Sequence, residues 1–116
     1  MIEMEKLARQ AYLYDFYGEL LTEHQKQIYE DVVILDMSLR EIAEEFGISR
    51  QGVHDLVRRC DKILEGYEEK LHLIERFHAN REKIERICSL SDENGPEPAS
   101  ALREIRQISL NLLEEL

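Results

Sequence analysis

Arg50, Gln51, His54, Arg58 and Arg59 can all donate hydrogen bonds, and three of the five are permanent cations. Counted from Arg50, they recur one, four, eight and nine residues on, which places them along one side of a helix. Donors and cations on a single helical face can read base edges and neutralise phosphates in the major groove of DNA. Ser49, at the head of the same segment, completes the candidate set as its N-cap.

No comparable constellation for catalysis is present in the sequence. The five glycines are scattered, so there is no phosphate-cradling loop. His24, His54, His72 and His78 lie far apart, and a separation of six positions does not put the last two on one helical face. Cys60, Cys88 and the histidines lack metal-ligand spacing. The acidic pairs Glu44–Glu45, Glu68–Glu69 and Glu114–Glu115 read as solvated faces. The sequence therefore predicts a non-enzymatic protein with no cofactor and no metal.

The donor face needs a scaffold, and the residues around it supply one. Ser38 can cap a first short helix, with Glu41 three residues on in the capping-box pattern. Ile42, Ala43 and Phe46 give that helix its apolar stripe. Gly47 can take the positive φ of a sharp helix exit, and Ile48 follows as an apolar plug. From Ser49 a second helix turns Val53, Leu56, Val57 and Cys60 inward. Small Ala43, Gly47 four residues later and apolar Val53 six residues after that have the layout of a helix-turn-helix. An αα-hairpin that only packs would explain the apolar positions, but not the cations on the outward face.

The 116 residues are enough for one domain with a real core; 43% are hydrophobic and 34% charged, as in a soluble globular protein. No apolar run approaches the roughly 20 residues of a membrane span. The segment MIEMEKLARQ lacks the layout of a signal peptide, and the two cysteines suggest no disulfide framework, so the expected location is cytoplasmic. The net charge of −10 is uneven. Residues 1–37 carry 3 basic and 8 acidic side chains, residues 38–66 carry 5 and 6, and residues 67–116 carry 7 and 11. The helix-turn-helix is the least acidic third, but it forms no large basic patch. This balance predicts weak DNA binding by a monomer, or none.

Taken in order, the chain reads as all-α. Residues 3–20 form a helix whose aromatics, Tyr12, Tyr14, Phe16 and Tyr17, could stack on bases or pack in a core; with no basic residue interleaved, the pattern favours the core. Thr22 and Gln25 form a capping box for a second helix that buries Ile28, Tyr29, Val32, Val33 and Leu35. Helices two to four should make a three-helix core with the first packed across it. Gly52 reads either as a close approach to phosphate or as a tolerant surface position, and the second is favoured. Glu65-Gly66-Tyr67 marks a break or a kink, and residues 67–90 then form a long amphipathic helix with i,i+4 pairs such as Glu82–Arg86. SDENGPEP, residues 91–98, is the one clear loop, followed by a leucine-rich helix over roughly 98–115. The expected domains are a helix-turn-helix domain with its N-terminal helix over 1–66 and a helical extension over 67–116 for packing or dimerisation. The candidate interface residues are Tyr67, Leu71, Ile74, Phe77, Ile84, Leu102, Ile105 and Leu112.

LYDFYGELLTEHQKQIY, then SLREIAEEFGISRQGVHDLVRR, then LEGYEEKLHLIERF resemble the YlxM-type family of small bacterial helix-turn-helix proteins over about residues 7–78. The Thr22–Gln25 start and the helix-turn-helix also resemble region 4 of bacterial sigma factors. The resemblance implies that Arg50, Gln51, His54, Asp55, Arg58 and Arg59 face DNA. The sequence departs from the family pattern at Gly52, where alanine is usual, and at His54, where tyrosine is usual. The family is encoded beside the signal recognition particle GTPase and its receptor, which implies a regulatory or accessory role in that targeting pathway.

Two functional readings follow. In one, the chain is a regulator that binds nucleic acid, either DNA or the RNA of the signal recognition particle, through the helix beginning at Ser49. In the other, it is a protein-interaction module whose acidic surface meets the GTPase, its receptor or the ribonucleoprotein. A homodimer is expected in either case, with no membrane insertion.

Overall fold

The computed structural model describes residues 2–116, with side chains from residue 5 onward; Met1, where the expected first domain begins, lies outside the described residues. Helix α1 spans Ile2–Tyr17 and tightens into a 3-10 turn over Gly18–Leu20. Helix α2, Glu23–Tyr29, widens into a π turn over Glu30–Ile34. Helices α3 (Leu39–Phe46), α4 (Arg50–Leu71), α5 (Leu73–Leu90) and α6 (Pro98–Glu115) follow. The described residues include no strand, as the all-α reading requires. They divide into two compact units, the first ending at Ile74 and the second Glu75–Leu116. The division falls eight residues beyond the boundary expected after Gly66.

The first unit is built around Leu13 and Tyr17 of α1, Ile28 and Tyr29 of α2, Ile42 and Ala43 of α3, and Val53, Leu56, Val57, Cys60 and Leu64 of α4, all buried. Each large side chain fully buried there stabilises the fold by about 1.5–3 kcal/mol relative to exposure. The aromatics of α1 are core residues, as the absence of interleaved basic residues suggested. Tyr17 is fully buried, and Tyr12, Tyr14 and Phe16 pack against the cluster. Tyr14 stacks on Tyr29 with ring centroids 5.8 Å apart and donates to Glu30 Oε2 at 2.8 Å. Gly18 is required where it is, because a Cβ there would meet the Tyr14 ring at 2.8 Å.

Three sequence expectations are corrected. Val32 and Val33 pack against the core, but Leu35 is exposed. The π turn holds one more residue than an α turn, which carries Leu35 past the inward side. The helix does not break at Gly66. Leu64 and Glu68 are buried on either side of it, and α4 runs on to Leu71, overriding the glycine's cost of about 1 kcal/mol. The break falls at His72, whose φ of 56° closes α4 while its N–H donates to the Glu68 carbonyl at 2.8 Å. The stripe expected over 67–90 is therefore shared between two helices. Tyr67 packs against the first unit's core and stacks on Tyr17 at 6.0 Å, and Ile74 is fully buried there.

A polar ladder fastens α1 to α4. Gln10 Nε2 donates to both oxygens of Asp61 at 3.1 Å, and the Tyr29 hydroxyl donates to Asp61 Oδ1 at 2.6 Å. Arg9 grips Glu65 bidentately at 2.9 and 2.8 Å. That grip lowers the Glu65 pKa, and burial only partly opposes it. Its stabilisation is therefore present above the ordinary carboxylate pKa and is lost as pH falls through the lowered one. At the far end the Tyr17 hydroxyl donates to buried Glu68 Oε1 at 2.5 Å. The same carboxylate oxygen accepts the Ile74 N–H at 2.9 Å, and the Tyr17 oxygen accepts the Leu73 N–H at 3.1 Å. Two orphan N–H groups at the start of α5 are satisfied in this way. Burial first, and the bond to Glu68 second, raise the Tyr17 pKa.

The second unit is a helical hairpin formed by the rest of α5 and α6. Leu90 and Ala101 are buried, and Ile87, Ile105, Ile108 and Leu112 are half-buried. Glu97 caps α6 by accepting the Ala99 and Ser100 N–H groups at 3.0 Å, with Pro98 in the first turn. Lys83 reaches Glu115 at 2.8 Å. Arg86 bridges to Glu104 of α6 at 2.9 Å, in place of the i,i+4 partner Glu82 that the sequence suggested. Phe77, Ile84, Leu102 and Leu113 remain exposed.

Replacing Tyr17 by Phe keeps the ring but strands the Leu73 N–H and removes a donor from Glu68. Urea unfolding of Tyr17→Phe is expected to show a loss of about 1–3 kcal/mol. An unchanged midpoint would show that this buried tie contributes nothing.

Candidate nucleic-acid interface

The geometry expected of residues 38–60 is present. Ser38 Oγ accepts the Glu41 N–H at 3.1 Å, which caps α3. Gly47 leaves α3 with φ 67°, in the left-handed region where a Cβ costs roughly 1–2 kcal/mol. The Ile48 N–H returns to the Ala43 carbonyl at 3.1 Å, so the turn is closed by the backbone as well. Ser49 Oγ accepts the Gly52 N–H at 2.9 Å and caps α4. Ile42 and Ala43 are buried against Val53, Leu56, Val57 and Cys60 in one cluster. With that face fixed inward, the 3.6-residue period turns the other residues outward.

Arg50, Gln51, His54, Asp55, Arg58 and Arg59 are all exposed, and Ser49 is exposed at the helix head. The structure thus brings the whole candidate set onto one surface. Two members are already engaged. Gln51 Nε2 donates to Asp55 Oδ1 at 2.9 Å, which occupies a base-reading donor and partly screens the face's one acid. His54 Nδ1 lies 3.9 Å from the same oxygen, too far for a hydrogen bond. The face also includes a cation absent from the sequence-based set. Lys62 lines a shallow depression together with Asp55, Arg58 and Arg59. Its spacing of three and four residues from Arg59 and Arg58 was the available signal. Helix α3 is less favourable to phosphate, because Glu41, Glu44 and Glu45 are exposed and Glu44 alone is ion-paired among the described residues, with Arg40 at 3.3 Å.

The acids of α4 have a different destination. Asp61, Glu65 and Glu68 are held by Gln10, Tyr29, Arg9 and Tyr17 and lie toward α1. Three of the five carboxylates of α4 are thus spent on the fold, while Asp55 and Glu69 stay exposed. Among the described residues, no group of three or more His, Cys, Asp or Glu side chains could hold a metal ion. No described helix is long and apolar enough to cross a membrane.

A capped helix, a left-handed glycine and a second capped helix with an outward row of cations define a helix-turn-helix protein. Comparison with known proteins places it further: the chain belongs to the UPF0122 family, whose model, described as "Putative helix-turn-helix protein, YlxM / p13 like", matches residues 4–99. A UPF0122 protein of Lactococcus lactis subsp. cremoris (strain MG1363) is 43% identical over 109 residues, covering 92% of this chain and 96% of the relative. UPF0122 proteins of Bacillus cereus (strain AH187) and Bacillus anthracis (strain A0248) are each 42% identical over 90 residues, covering 78% of this chain and 82% of the relative. The resemblance read from residues 7–78 is thus shown, and the match extends into the loop before α6.

Cys60 sits on the inward side of α4, where burial pushes its thiol up to about 11, helped by Asp61 and opposed by Arg59. Cys88 is exposed. A thiol reagent at neutral pH is expected to modify one cysteine of the folded protein, Cys88, and to reach Cys60 only after denaturation. Rapid modification of both in the native state would contradict this packing.

Proposed function

We propose that this protein is a regulatory nucleic-acid-binding protein that contacts its target through the outward face of α4. The observation that supports this is the sorting of charge along one helix. Arg50, Arg58, Arg59 and Lys62 are exposed on its outward side with Asp55 among them, while Asp61, Glu65 and Glu68 are drawn to α1. Arg50, His54 and Arg58 are suited to base edges; Arg59 and Lys62 are suited to flanking phosphates. The net charge of −10 and the exposed glutamates of α3 work against tight binding by a single copy.

A pair of copies would double the cationic face and set a half-site spacing. The exposed apolar side chains of the second unit, Phe77, Ile84 and Leu102, are the surface proposed for that pairing. Light scattering at tens of micromolar is expected to give twice the chain mass, and a monomer mass would exclude it.

Binding is tested by titration against duplex DNA and against the signal recognition particle RNA at two salt concentrations. Arg58→Ala/Arg59→Ala is expected to weaken binding and, on duplex DNA, to reduce the salt slope by roughly 0.9 for each phosphate that is no longer neutralised. No binding of the wild type to either nucleic acid at low salt would remove this reading.

A second reading is carried by Glu41, Glu44 and Glu45, which put an exposed acidic strip on α3. In that reading the helix-turn-helix is a scaffold, and the strip meets a basic surface of the signal recognition particle GTPase or its receptor. Replacing the three glutamates by glutamine is expected to weaken association with the GTPase. The same change should strengthen any binding to nucleic acid, so the two readings separate in one pair of titrations.

A further inference from the structure

The first unit has a cleft of about 320 Å³ that shares only His54 and Arg58 with the proposed nucleic-acid face. It lies between α1, the π turn, the start of α3 and α4, with Leu7, Val32, Val33, Leu39 and Val57 making its apolar wall. Its size is at the lower end for small-molecule sites. Leu7 is 51% exposed, so this apolar surface faces solvent unless something covers it.

Charge narrows the choice of occupant. Lys6 and Arg58 line the cleft on opposing helices, and neither is drawn into an ion pair among the described residues. The one carboxylate in the lining is Asp61, which already accepts two bonds from Gln10 and one from Tyr29. The cleft therefore combines an apolar wall, two cations in no ion pair among the described residues and one hydrogen-bonded carboxylate, a formal charge of one positive overall. Its complement is a short aliphatic body ending in a single negative charge. A polar sugar would leave the valine wall uncovered, a second negative charge would meet Asp61, and a neutral hydrocarbon would leave both cations unused.

We propose that this cleft binds a small amphipathic monocarboxylate, its chain against Leu7, Val33 and Val57 and its carboxylate between Lys6 and Arg58. Carboxylate bonds to such cations are charge-assisted and are the stronger kind. Because Arg58 and His54 also belong to the outward face of α4, occupancy withdraws them from any nucleic acid. That regulatory consequence rests on the nucleic-acid reading; the binding itself does not.

Octanoate is a suitable probe, followed by methyl and amide shifts in NMR spectra of the full chain. A ligand of about ten non-hydrogen atoms at ordinary efficiency gives a Kd on the order of 1–10 mM. Saturable shifts centred on Leu7, Val33 and Val57 are expected, with octanol binding more weakly. Lys6→Gln/Arg58→Gln, both surface changes, should raise the octanoate Kd about tenfold while leaving the melting temperature unchanged. The proposal is overturned by three outcomes: no saturable shift, shifts centred on the exposed leucines of α6, or equal affinity for octanoate and octanol. If nucleic-acid binding is detected, octanoate should weaken it for the wild type. Octanoate binding without that competition would leave the site standing and remove only the regulatory link.

Discussion

Asp61, Glu65 and Glu68 hold α1 against α4, and the rest of the first unit depends on the direction they face. Their partners keep step: Gln10 and Tyr17 on α1, like Asp61 and Glu68 on α4, are seven residues apart. The register of one helix on the other is therefore fixed by polar contacts at both ends, with apolar packing between them. A sliding of either helix would leave buried Glu68 and half-buried Asp61 short of donors, which is far more costly than a shift between apolar surfaces. The same contacts keep three negative charges from the surface where the cations lie. Fold and surface charge are settled by one set of hydrogen bonds.

The turn between α3 and α4 relies on local chemistry instead. Two serines each accept one backbone N–H, and one glycine adopts the left-handed conformation. These contacts span three or four residues and are worth about 1 kcal/mol each. They set the exit and entry angles of the two helices, while Ile42, Ala43 and Val53 supply the burial that makes those angles worth holding. The turn is locally specified and globally stabilised, and this consistency lets a short stretch of sequence identify its own fold.

That is also why residues 38–60 could be read from the sequence in full. Caps, glycine and apolar spacing are short-range signals, and every candidate contact residue from Ser49 to Arg59 is found exposed where its spacing put it. What the sequence hid has longer range. Nothing near Gly66 announces that Leu64 and Glu68 will be buried and carry the helix through it. Nothing near His72 marks it as a terminus, because one of the acceptors for the N–H groups that follow it is Tyr17, far away in the chain. Leu35 was misplaced because a period of 3.6 does not foresee a π turn. Lys62 is a different case: its spacing was visible, but its company with Arg58 and Arg59 became compelling only once Asp61 beside it was seen to face α1.

The start of α5 carries an implication for the order in which the chain can assemble. A helix must close its first turn at a net loss before propagation repays it. Here the acceptors for the first two N–H groups come from Tyr17 and Glu68, on two earlier helices. Glu68 is six residues away along the chain, but Tyr17 is 56 residues from Leu73. A chain emerging from a ribosome has Tyr17 ready long before Leu73 appears. The first turn of α5 thus draws one of its acceptors from a helix made 56 residues earlier.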